Sequence, residues 1–305
     1  MSKKHVAVLM GGFSSERAVS LASGKACANA LKEEYAVTCV DVDNDLALVL
    51  YDLAPDVVFN ALHGSYGEDG TVQGILEYLQ IPYTHSGVLA SALCMDKRQA
   101  KIIASAADIP VADSKILNRF NIVTHPFEPP YIVKPMREGS SCGVCVIQDK
   151  DDVSCIEKKI SLDWKYGDDI LVEPYIAGCD LSCAVIGDRV LDVCEILLEE
   201  GPSFYDYDSK YIFGASRHVC PANLKKTLYK KIQTISLKAH KVLGCRGVSR
   251  SDFRYDKATG NLVWLEINTQ PGMTFTSILP DIARVSGYSF LDLVRWIVED
   301  ASCLR

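Results

Sequence analysis

The chain of 305 residues is long enough for two or three domains. Its composition, 48% hydrophobic and 23% charged, is that of a globular protein and excludes both a disulfide-stapled miniprotein and a disordered chain. The 32 basic and 39 acidic side chains give a formal net charge of -7, which argues against nucleic acid as a partner. Any anionic substrate must therefore meet a local cluster of lysine and arginine side chains.

The 12 cysteines are scattered, mostly in apolar runs, which is typical of reduced and buried thiols in a cytosolic protein. A zinc site is the alternative hypothesis, and its ligands would be Cys142, Cys145, Cys179 and Cys183. The apolar run Val6–Met10 is too short for a signal sequence, and no stretch approaches the roughly 20 apolar residues that span a bilayer. We therefore expect a cytoplasmic protein with no membrane partner.

The first third of the chain alternates strands and helices. The predicted strands are His5–Met10, Ala36–Val42 and Val57–Leu62. Three helices are predicted. The first has Ser14 or Ser15 as its N-cap and runs to Leu31. The other two are Thr71–Leu79 and Gly87–Cys94. This alternation predicts a parallel, doubly wound α/β sheet.

The remainder combines helices with short strands in an α+β pattern. The predicted strands are Ser114–Leu117, Tyr131–Lys134, Val144–Ile147, Ile170–Glu173, Leu181–Ile186 and Val190–Leu197. The predicted helices are Asp96–Ala107, Val153–Ile160, Asn223–Leu243 and Phe290–Asp300. An irregular stretch, Glu199–Ser216, carries five aromatic residues between Phe204 and Phe213, which indicates either a lid or a loop packed on the core.

Two further strands carry a cluster of polar side chains; they are Gly247–Tyr255 and Asn261–Asn268. The turn-like segment between them predicts a hairpin in which Asp252 lies opposite Glu266. Strand alternation then places Arg250 and Asn268 on the same face. The opposite face looks core-like and carries Val263, Leu265 and Phe253. Two carboxylates and an amide suit Mg²⁺ that also bridges to substrate phosphates, and the alternative is a solvated polar face of an edge hairpin.

Three turns also carry candidate site residues. Lys134 ends a predicted strand before a loop of small residues, Gly139–Gly143, whose backbone N–H groups suit phosphate. Glu16 and His63 follow two of the parallel strands, where α/β sheets bind ligands. Glu16 either stabilises a helix dipole or pairs with a cationic substrate, and His63 is either a site residue or a satisfied loop histidine.

Four segments together resemble the D-alanine–D-alanine ligases, a family of the ATP-grasp superfamily. They are His63-Gly64-x-x-Gly67-Glu68-Asp69-Gly70, Arg137-Glu138-Gly139-Ser140-Ser141, Phe204-Tyr205-Asp206-Tyr207-x-x-Lys210-Tyr211 and Leu265-Glu266-Ile267-Asn268-Thr269-x-Pro271-Gly272-Met273-Thr274. The resemblance covers essentially the whole chain and implies a three-domain ATP-grasp fold. The implied domains are an N-terminal α/β substrate domain with a parallel sheet at 1–90, a central subdomain at 91–175, and a C-terminal subdomain with the metal site and a lid at 176–305.

The resemblance implies that two D-alanines are joined at the expense of ATP, through a D-alanyl phosphate, for peptidoglycan synthesis by a homodimer. The implied ATP contacts are Lys97, Lys134, Glu173, Pro174, Ile176, Asp180, Lys210 and Leu265. Two Mg²⁺ ions, with Mn²⁺ as an alternative, would bind Asp252, Glu266 and Asn268. D-alanine would meet His63, Lys210 and Ser277, and the catalytic set would be Glu16, Ser140, Tyr211, Arg250 and Gly272.

Within these sets, Glu16, Ser140 and Tyr211 match a hydrogen-bonded triad, and Arg250 with the Gly272 N–H resembles an oxyanion site. Asp180, at the ribose position, stands where the family commonly has Glu. Two other functions remain as alternatives. One is a ligase that joins D-alanine to D-lactate, against which Tyr211 argues because such relatives carry Phe there. The other is an ATP-grasp protein that binds nucleotide without catalysis.

Overall fold

The structure is a computed structural model that describes residues 3–148, 164–198 and 216–304. In these residues the strands form three sheets: a parallel sheet of three strands, an antiparallel sheet of four and an antiparallel sheet of five. The predicted combination of α/β and α+β architecture is thus confirmed. None of the described helices is both long and apolar enough to cross a membrane.

The first sheet has the strand order β2-β1-β3, with all strands parallel. Its strands are β1 (His5–Gly11), β2 (Ala36–Val42) and β3 (Val57–Asn60). Its helices are α1 (Arg17–Leu31), α2 (Leu46–Leu53), α3 (Thr71–Leu79) and α4 (Val88–Met95). Because parallel strands end at one edge, the turns after β1 and β3 lie side by side.

The predicted capping of α1 by Ser14 or Ser15 is wrong. The helix begins at Arg17, and its N-cap residue Glu16 makes no side-chain capping hydrogen bond. Ser14 Oγ instead accepts the Glu16 N–H at 3.1 Å and donates to the His63 carbonyl at 2.5 Å. The serine thereby ties the turn after β1 to the turn after β3.

The second sheet has the order β4-β7-β5-β6 and is antiparallel. Its strands are β4 (Lys115–Asn118), β5 (Tyr131–Pro135), β6 (Cys145–Ile147) and β7 (Asp169–Pro174). The helix α5 (Lys97–Ala106) precedes this sheet, and Asp96 caps it by accepting the N–H groups of Arg98 and Gln99.

The third sheet has the order β10-β9-β8-β11-β12. Its strands are β8 (Cys179–Ile186), β9 (Arg189–Leu198), β10 (Ser216–Val219), β11 (Val248–Tyr255) and β12 (Leu262–Asn268). The remaining helices are α6 (Lys226–Val242), α7 (Ile278–Val285) and α8 (Phe290–Glu299). The strand β10 corrects the predicted irregular stretch, which extended one residue too far, to Ser216.

One apolar core joins the first sheet to the last two helices. Val6 and Val8 of β1 lie in the same buried cluster as Ile282 of α7 and Leu293 of α8. The third sheet contributes to this cluster as well, through Ala184 of β8. This shared core holds the turns after β1 and β3 against the end of β12, where the polar hairpin residues lie.

Some predicted features lie outside the described residues. They are the helix Val153–Ile160, the lid apart from Ser216, and the candidate site residues Lys210 and Tyr211.

Candidate active site

The predicted hairpin of β11 and β12 is confirmed, register included. Asp252 pairs with Glu266, and Arg250 pairs with Asn268. A bulge follows Asp252 and shifts the register by one residue. Phe253 and Val263 are buried as predicted, but Leu265 is only partly buried and lines a cavity beside Glu266. Its assignment to the core-like face is therefore wrong, because the bulge turns it towards the cavity.

Asp252 accepts hydrogen bonds from three side chains. Arg250 donates to both carboxylate oxygens, at 2.8 and 2.7 Å, in a bidentate pair. Ser182 Oγ donates at 2.6 Å and Asn268 Nδ2 at 3.0 Å. The carboxylate is thus held rigidly at the mouth of the hairpin, and Arg250 compensates its charge.

Glu266 connects the hairpin to the second sheet through Lys97. The Lys97 Nζ lies 3.1 Å from Glu266 Oε2 and donates to the Glu138 carbonyl at 2.6 Å. Lys97 is the first residue of α5, so the N-terminus of that helix meets the glycine loop and the hairpin at one place.

An open cavity lies between the second and third sheets. Its walls carry the apolar side chains Ile132, Val144, Leu181, Ile196, Phe253, Leu265 and Ile278. Its charged lining residues are Lys97, Lys134, Glu138, Glu173, Asp180, Asp252, Arg254 and Glu266. A slot with both apolar walls and charged side chains suits a ligand that has a flat, uncharged part and a polyanionic part. We call it the nucleotide cavity.

Glu173 is buried between two lysines at the inner end of the nucleotide cavity. Its Oε2 accepts from Lys134 Nζ at 2.7 Å, and its Oε1 lies 2.6 Å from Lys101 Nζ. Burial alone would raise the pKa of Glu173, but the two lysine charges outweigh it and leave the pKa lowered. Burial lowers the pKa of Lys101, although Glu173 opposes the shift. The sequence interpretation missed Lys101.

The segment after β7 is held by an arginine that sequence reasoning also missed. Arg254 Nη1 donates to Asp180 Oδ2 at 2.7 Å, and its Nε donates to the Ile176 carbonyl at 3.0 Å. Its guanidinium lies 5.6 Å from the centre of the Tyr175 ring. Asp180 therefore lines the nucleotide cavity with its charge already compensated by Arg254.

A second cavity adjoins the first, and Glu266 and Ile278 line both. Its other lining residues come from the turns after β1 and β3, the glycine loop, the hairpin and the segment after β12. They include Glu16, His63, Glu68, Ser140, Arg250, Asn268, Gly272 and Ser277. We call it the substrate cavity, because charged and polar groups surround a space suited to a small zwitterion.

Glu16 and Ser140 meet in the substrate cavity although they are 124 positions apart. Ser140 Oγ donates a hydrogen bond to Glu16 Oε1. A Cβ at Gly64 would lie 3.0 Å from Glu16 Oε2, and one at Gly139 would lie 3.2 Å from it, so the carboxylate is packed between two glycines. Ser140 has a φ of 51°, in the left-handed region, which indicates backbone strain at this contact.

His63 is buried in the wall of the substrate cavity. Its Nε2 lies 3.1 Å from Ser23 Oγ, which also accepts the Met273 N–H at 3.2 Å. Burial lowers the pKa of His63 to about 4, and a hydrogen bond with the Gln270 backbone opposes the shift only in part. The imidazole is therefore neutral at physiological pH.

Glu68 is a second acidic residue of the substrate cavity. Its Oε1 accepts the Gly64 N–H at 2.8 Å. Burial, reinforced by the charge of Glu16, raises the pKa of Glu68 to about 8. Close to neutral pH the Glu68 carboxyl group is thus mostly protonated.

Gly272 and Ser277 pack against each other on the far side of this cavity. A Cβ at Gly272 would lie 2.8 Å from Ser277 Oγ. Ser277 is the N-cap residue of α7, and its Oγ accepts the Thr274 N–H at 2.9 Å instead of capping the helix. The first-turn N–H groups of α7 add positive potential here.

The hairpin offers oxygen donors of the kind that Mg²⁺ prefers. They are the carboxylates of Asp252 and Glu266 and the amide oxygen of Asn268. Within residues 3–148, 164–198 and 216–304, no three His, Cys, Asp or Glu side chains gather to hold a metal by themselves. The donor set therefore fits a Mg²⁺ ion whose remaining ligands are phosphates and water. The same search gives the zinc hypothesis no support, because Cys142, Cys145, Cys179 and Cys183 do not gather into such a group in the part of the chain that the structure describes.

Comparisons with known proteins cover the whole chain. The family models described as the D-ala D-ala ligase N-terminus and C-terminus match residues 51–86 and 103–299. A D-alanine–D-alanine ligase B from Brucella melitensis is 63% identical over 311 residues, which cover 100% of this chain and 98% of the relative. A D-alanine–D-alanine ligase from Bartonella tribocorum is 61% identical over 307 residues, which cover 100% of both chains.

Solved structures show the same likeness. The D-alanine–D-alanine ligase of Bacillus anthracis complexed with ATP has a TM-score of 0.83 and 29% identity, with 97% of each chain covered. The VanG D-Ala:D-Ser ligase of Enterococcus faecalis has a TM-score of 0.79 and 30% identity, with 98% of this chain and 99% of that chain covered.

Proposed function

Because the chain belongs to the D-alanine–D-alanine ligase family and is an ATP-dependent ligase, we propose that its two adjoining cavities divide the reaction between them. ATP occupies the nucleotide cavity and two D-alanines occupy the substrate cavity. The observation that carries this proposal is the position of Glu266, which lines both cavities and lies opposite Asp252. The phosphoryl group is transferred at this junction.

The nucleotide cavity recognises two parts of ATP, the flat base and the charged phosphates. The base lies between the apolar walls, near Glu173 and the backbone of Pro174 and Ile176. The Ile176 carbonyl already accepts from Arg254, so we expect its N–H to meet the base. Asp180 faces the ribose. The phosphates meet Lys97 and Lys134. Lys134 shares the single carboxylate of Glu173 with Lys101, which leaves a surplus positive charge.

Asp252, Glu266 and Asn268 would hold two Mg²⁺ ions, which Mn²⁺ could replace, beside the ATP phosphates. When bound, the ions neutralise the charge of the phosphoryl group in transfer. Arg250 and Ser182 orient the Asp252 carboxylate towards this position. Lys97 balances the charge of Glu266 until the nucleotide arrives.

The first D-alanine binds with its ammonium group on Glu16 and lies near the neutral His63. Its carboxylate oxygen attacks the γ-phosphorus of ATP, the bond from phosphorus to the ADP oxygen breaks, and D-alanyl phosphate and ADP form. Ser140 holds Glu16 in place through its hydrogen bond. Catalysis at this step consists of positioning and electrostatic stabilisation.

The second D-alanine binds with its carboxylate on Ser277, at the N-terminus of α7, and on Lys210. Its amine attacks the acyl carbon of D-alanyl phosphate, and the negative charge that forms on the carbonyl oxygen is stabilised by Arg250 and the Gly272 N–H. Phosphate then leaves, and the amine releases one proton. Lys210 enters this scheme by family resemblance alone, as does Tyr211, the third member of the triad with Glu16 and Ser140.

The test is product analysis with ATP and Mg²⁺ and with D-alanine, D-lactate and D-serine offered as competing acceptors. We expect D-alanyl-D-alanine as the main product, together with ADP and phosphate in equal amounts. A depsipeptide or a D-alanyl-D-serine product would reassign the acceptor. Nucleotide binding without phosphate release would favour a catalytically silent protein.

The product serves peptidoglycan synthesis, and we propose that the enzyme acts in the cytoplasm as a homodimer. Both proposals follow the family. Light scattering of the purified protein tests the oligomeric state. We expect a measured molar mass twice that of one chain.

A further inference from the structure

Two buried amide side chains join the turn that carries His63 to the turn that carries Gly272. Gln270 Oε1 accepts a hydrogen bond from Asn60 Nδ2 at 2.8 Å, and Gln270 Nε2 donates to the Leu62 carbonyl. Asn60 is fully buried, and 3% of Gln270 is exposed. The pair spans 210 positions of sequence and connects the first sheet to the segment after β12.

Asn60 fixes both ends of the turn after β3. Its Nδ2 donates a second hydrogen bond to the Gly67 carbonyl at 2.9 Å, and its Oδ1 accepts the Leu62 N–H at 3.1 Å. Its own N–H donates to Thr84 Oγ1 at 2.9 Å. Every polar group of the Asn60 side chain is thereby used, so its orientation is determined and any shift of Gln270 is transmitted to the turn.

A second bridge runs parallel to this pair. Ser23 Oγ contacts both His63 Nε2 and the Met273 N–H. Gly272 therefore lies between two anchored residues, Gln270 and Met273, and each anchor leads back to the turn that carries His63. The spacing between the first-substrate turn and the candidate oxyanion N–H is set by these contacts.

We propose that Asn60 and Gln270 are positioning residues, which set the distance between the first D-alanine and the Gly272 N–H. The inference rests on the proposed function of these two turns. The family motif around residue 270 leaves that position open, and Asn60 precedes the motif around His63, so neither residue is prescribed by the resemblance. A pair of buried amides that are hydrogen-bonded to each other and to the turn favours one geometry over all others.

The test is steady-state kinetics of Gln270→Met, which keeps the length of the side chain and removes both hydrogen bonds. We expect kcat/KM for the first D-alanine to fall about tenfold, since misplacement of reacting groups is costly, while the KM for ATP stays within about twofold of wild type. The matched control is Gln233→Met. Gln233 Nε2 also donates to a backbone carbonyl, that of Leu191, at 2.8 Å, but lies on α6 outside both cavities.

A double-mutant cycle with Asn60→Leu completes the experiment, and we expect the two changes in kcat/KM to be non-additive. If Gln270→Met does not fold, Gln270→Glu replaces it, because it keeps the acceptor for Asn60 and places a carboxyl oxygen where the donor to Leu62 was. Wild-type kinetics for D-alanine in a folded, less stable variant would overturn the proposal and leave the pair a purely structural role. A wild-type enzyme that makes no dipeptide would instead refute the proposed function.

Discussion

Lys97 Nζ lies 3.1 Å from Glu266 Oε2 and so links the N-terminus of α5 to the proposed metal-binding face of the hairpin. Glu266→Gln keeps the size of the side chain and removes its charge. We expect kcat to fall at least about 100-fold, because the charge that holds Mg²⁺ is lost, while the protein stays folded. Steady-state assays at saturating Mg²⁺ measure this.

Glu195→Gln is the matched control for that variant. Glu195 also pairs with a lysine, Lys257, at 2.8 Å, but it lines neither cavity. We expect near wild-type turnover from it. Asp252→Asn should be as inactive as Glu266→Gln, but less stable, because it also weakens the bidentate pair with Arg250. Full activity of Glu266→Gln would refute the metal assignment.

Glu173→Gln should destabilise the protein strongly. The change leaves Lys101 and Lys134 buried without a counter-charge, which costs about 3–5 kcal/mol of unfolding free energy. Adding Lys101→Met should recover part of the loss, because one unpaired charge is then removed. Urea denaturation of the three proteins measures both effects, and a loss below about 1 kcal/mol in the single variant would contradict the charge balance inferred here.

His63 should make stability depend on pH. Its pKa is about 4 in the folded protein and 6.5 in the unfolded chain, so the unfolded state binds more protons between these values. The contribution of His63 is therefore complete above pH 6.5 and is lost as the pH falls towards 4, by about 3 kcal/mol in all. Urea denaturation at a series of pH values measures it.

In that series, His63→Gln should flatten the pH dependence only in part. His240 also has a pKa lowered to about 4 by burial, and it lies outside both cavities against Ser249 Oγ. His240→Gln is therefore the control, with the same effect on the pH profile of stability but none on the KM for D-alanine. An unchanged profile in His63→Gln would show that the imidazole is not buried in its neutral form.

Gly272→Ala tests the contact with Ser277. The new Cβ would lie 2.8 Å from Ser277 Oγ and displace it from Thr274. We expect the KM for the second D-alanine to rise about tenfold and the KM for ATP to stay the same. Gly74→Ala, where a Cβ would meet no atom within 4 Å, is the control and should be active. If the two variants have the same kinetics, Ser277 does not bind the carboxylate of the second D-alanine.

The sequence predicts best where chemistry and periodicity coincide. The register of Asp252 with Glu266 follows from strand alternation and from a recognisable turn, and the structure has the same pairing. Two helices were missed. The first, α2, is an almost continuous apolar run that lacks a side-chain cap, and α7 is short and contains Pro280 near its start. Local patterns of this kind do not distinguish helices from strands or loops.

Contacts between distant segments could not be predicted from the sequence, for a different reason. Lys101, Arg254 and Gln270 each act on a candidate site residue or turn that lies far away along the chain. Lys101 and Arg254 lie outside the recognised motifs, and Gln270 occupies a position that its motif leaves open. Arg254 lies two positions after Asp252 in β11, yet its partner Asp180 belongs to the neighbouring strand β8. Such partners emerge only once the order of the strands in the third sheet is known.

The core that β1 shares with α8 has a consequence for synthesis on the ribosome. Val6 and Val8 leave the exit tunnel early, whereas Leu293, which packs in the same cluster, is translated after all three sheets. Part of the apolar surface of the nascent first sheet therefore stays exposed until α8 has been synthesised. We expect this segment to bind holding chaperones during translation, and a ribosome stalled before α8 to present a protease-sensitive N-terminal sheet.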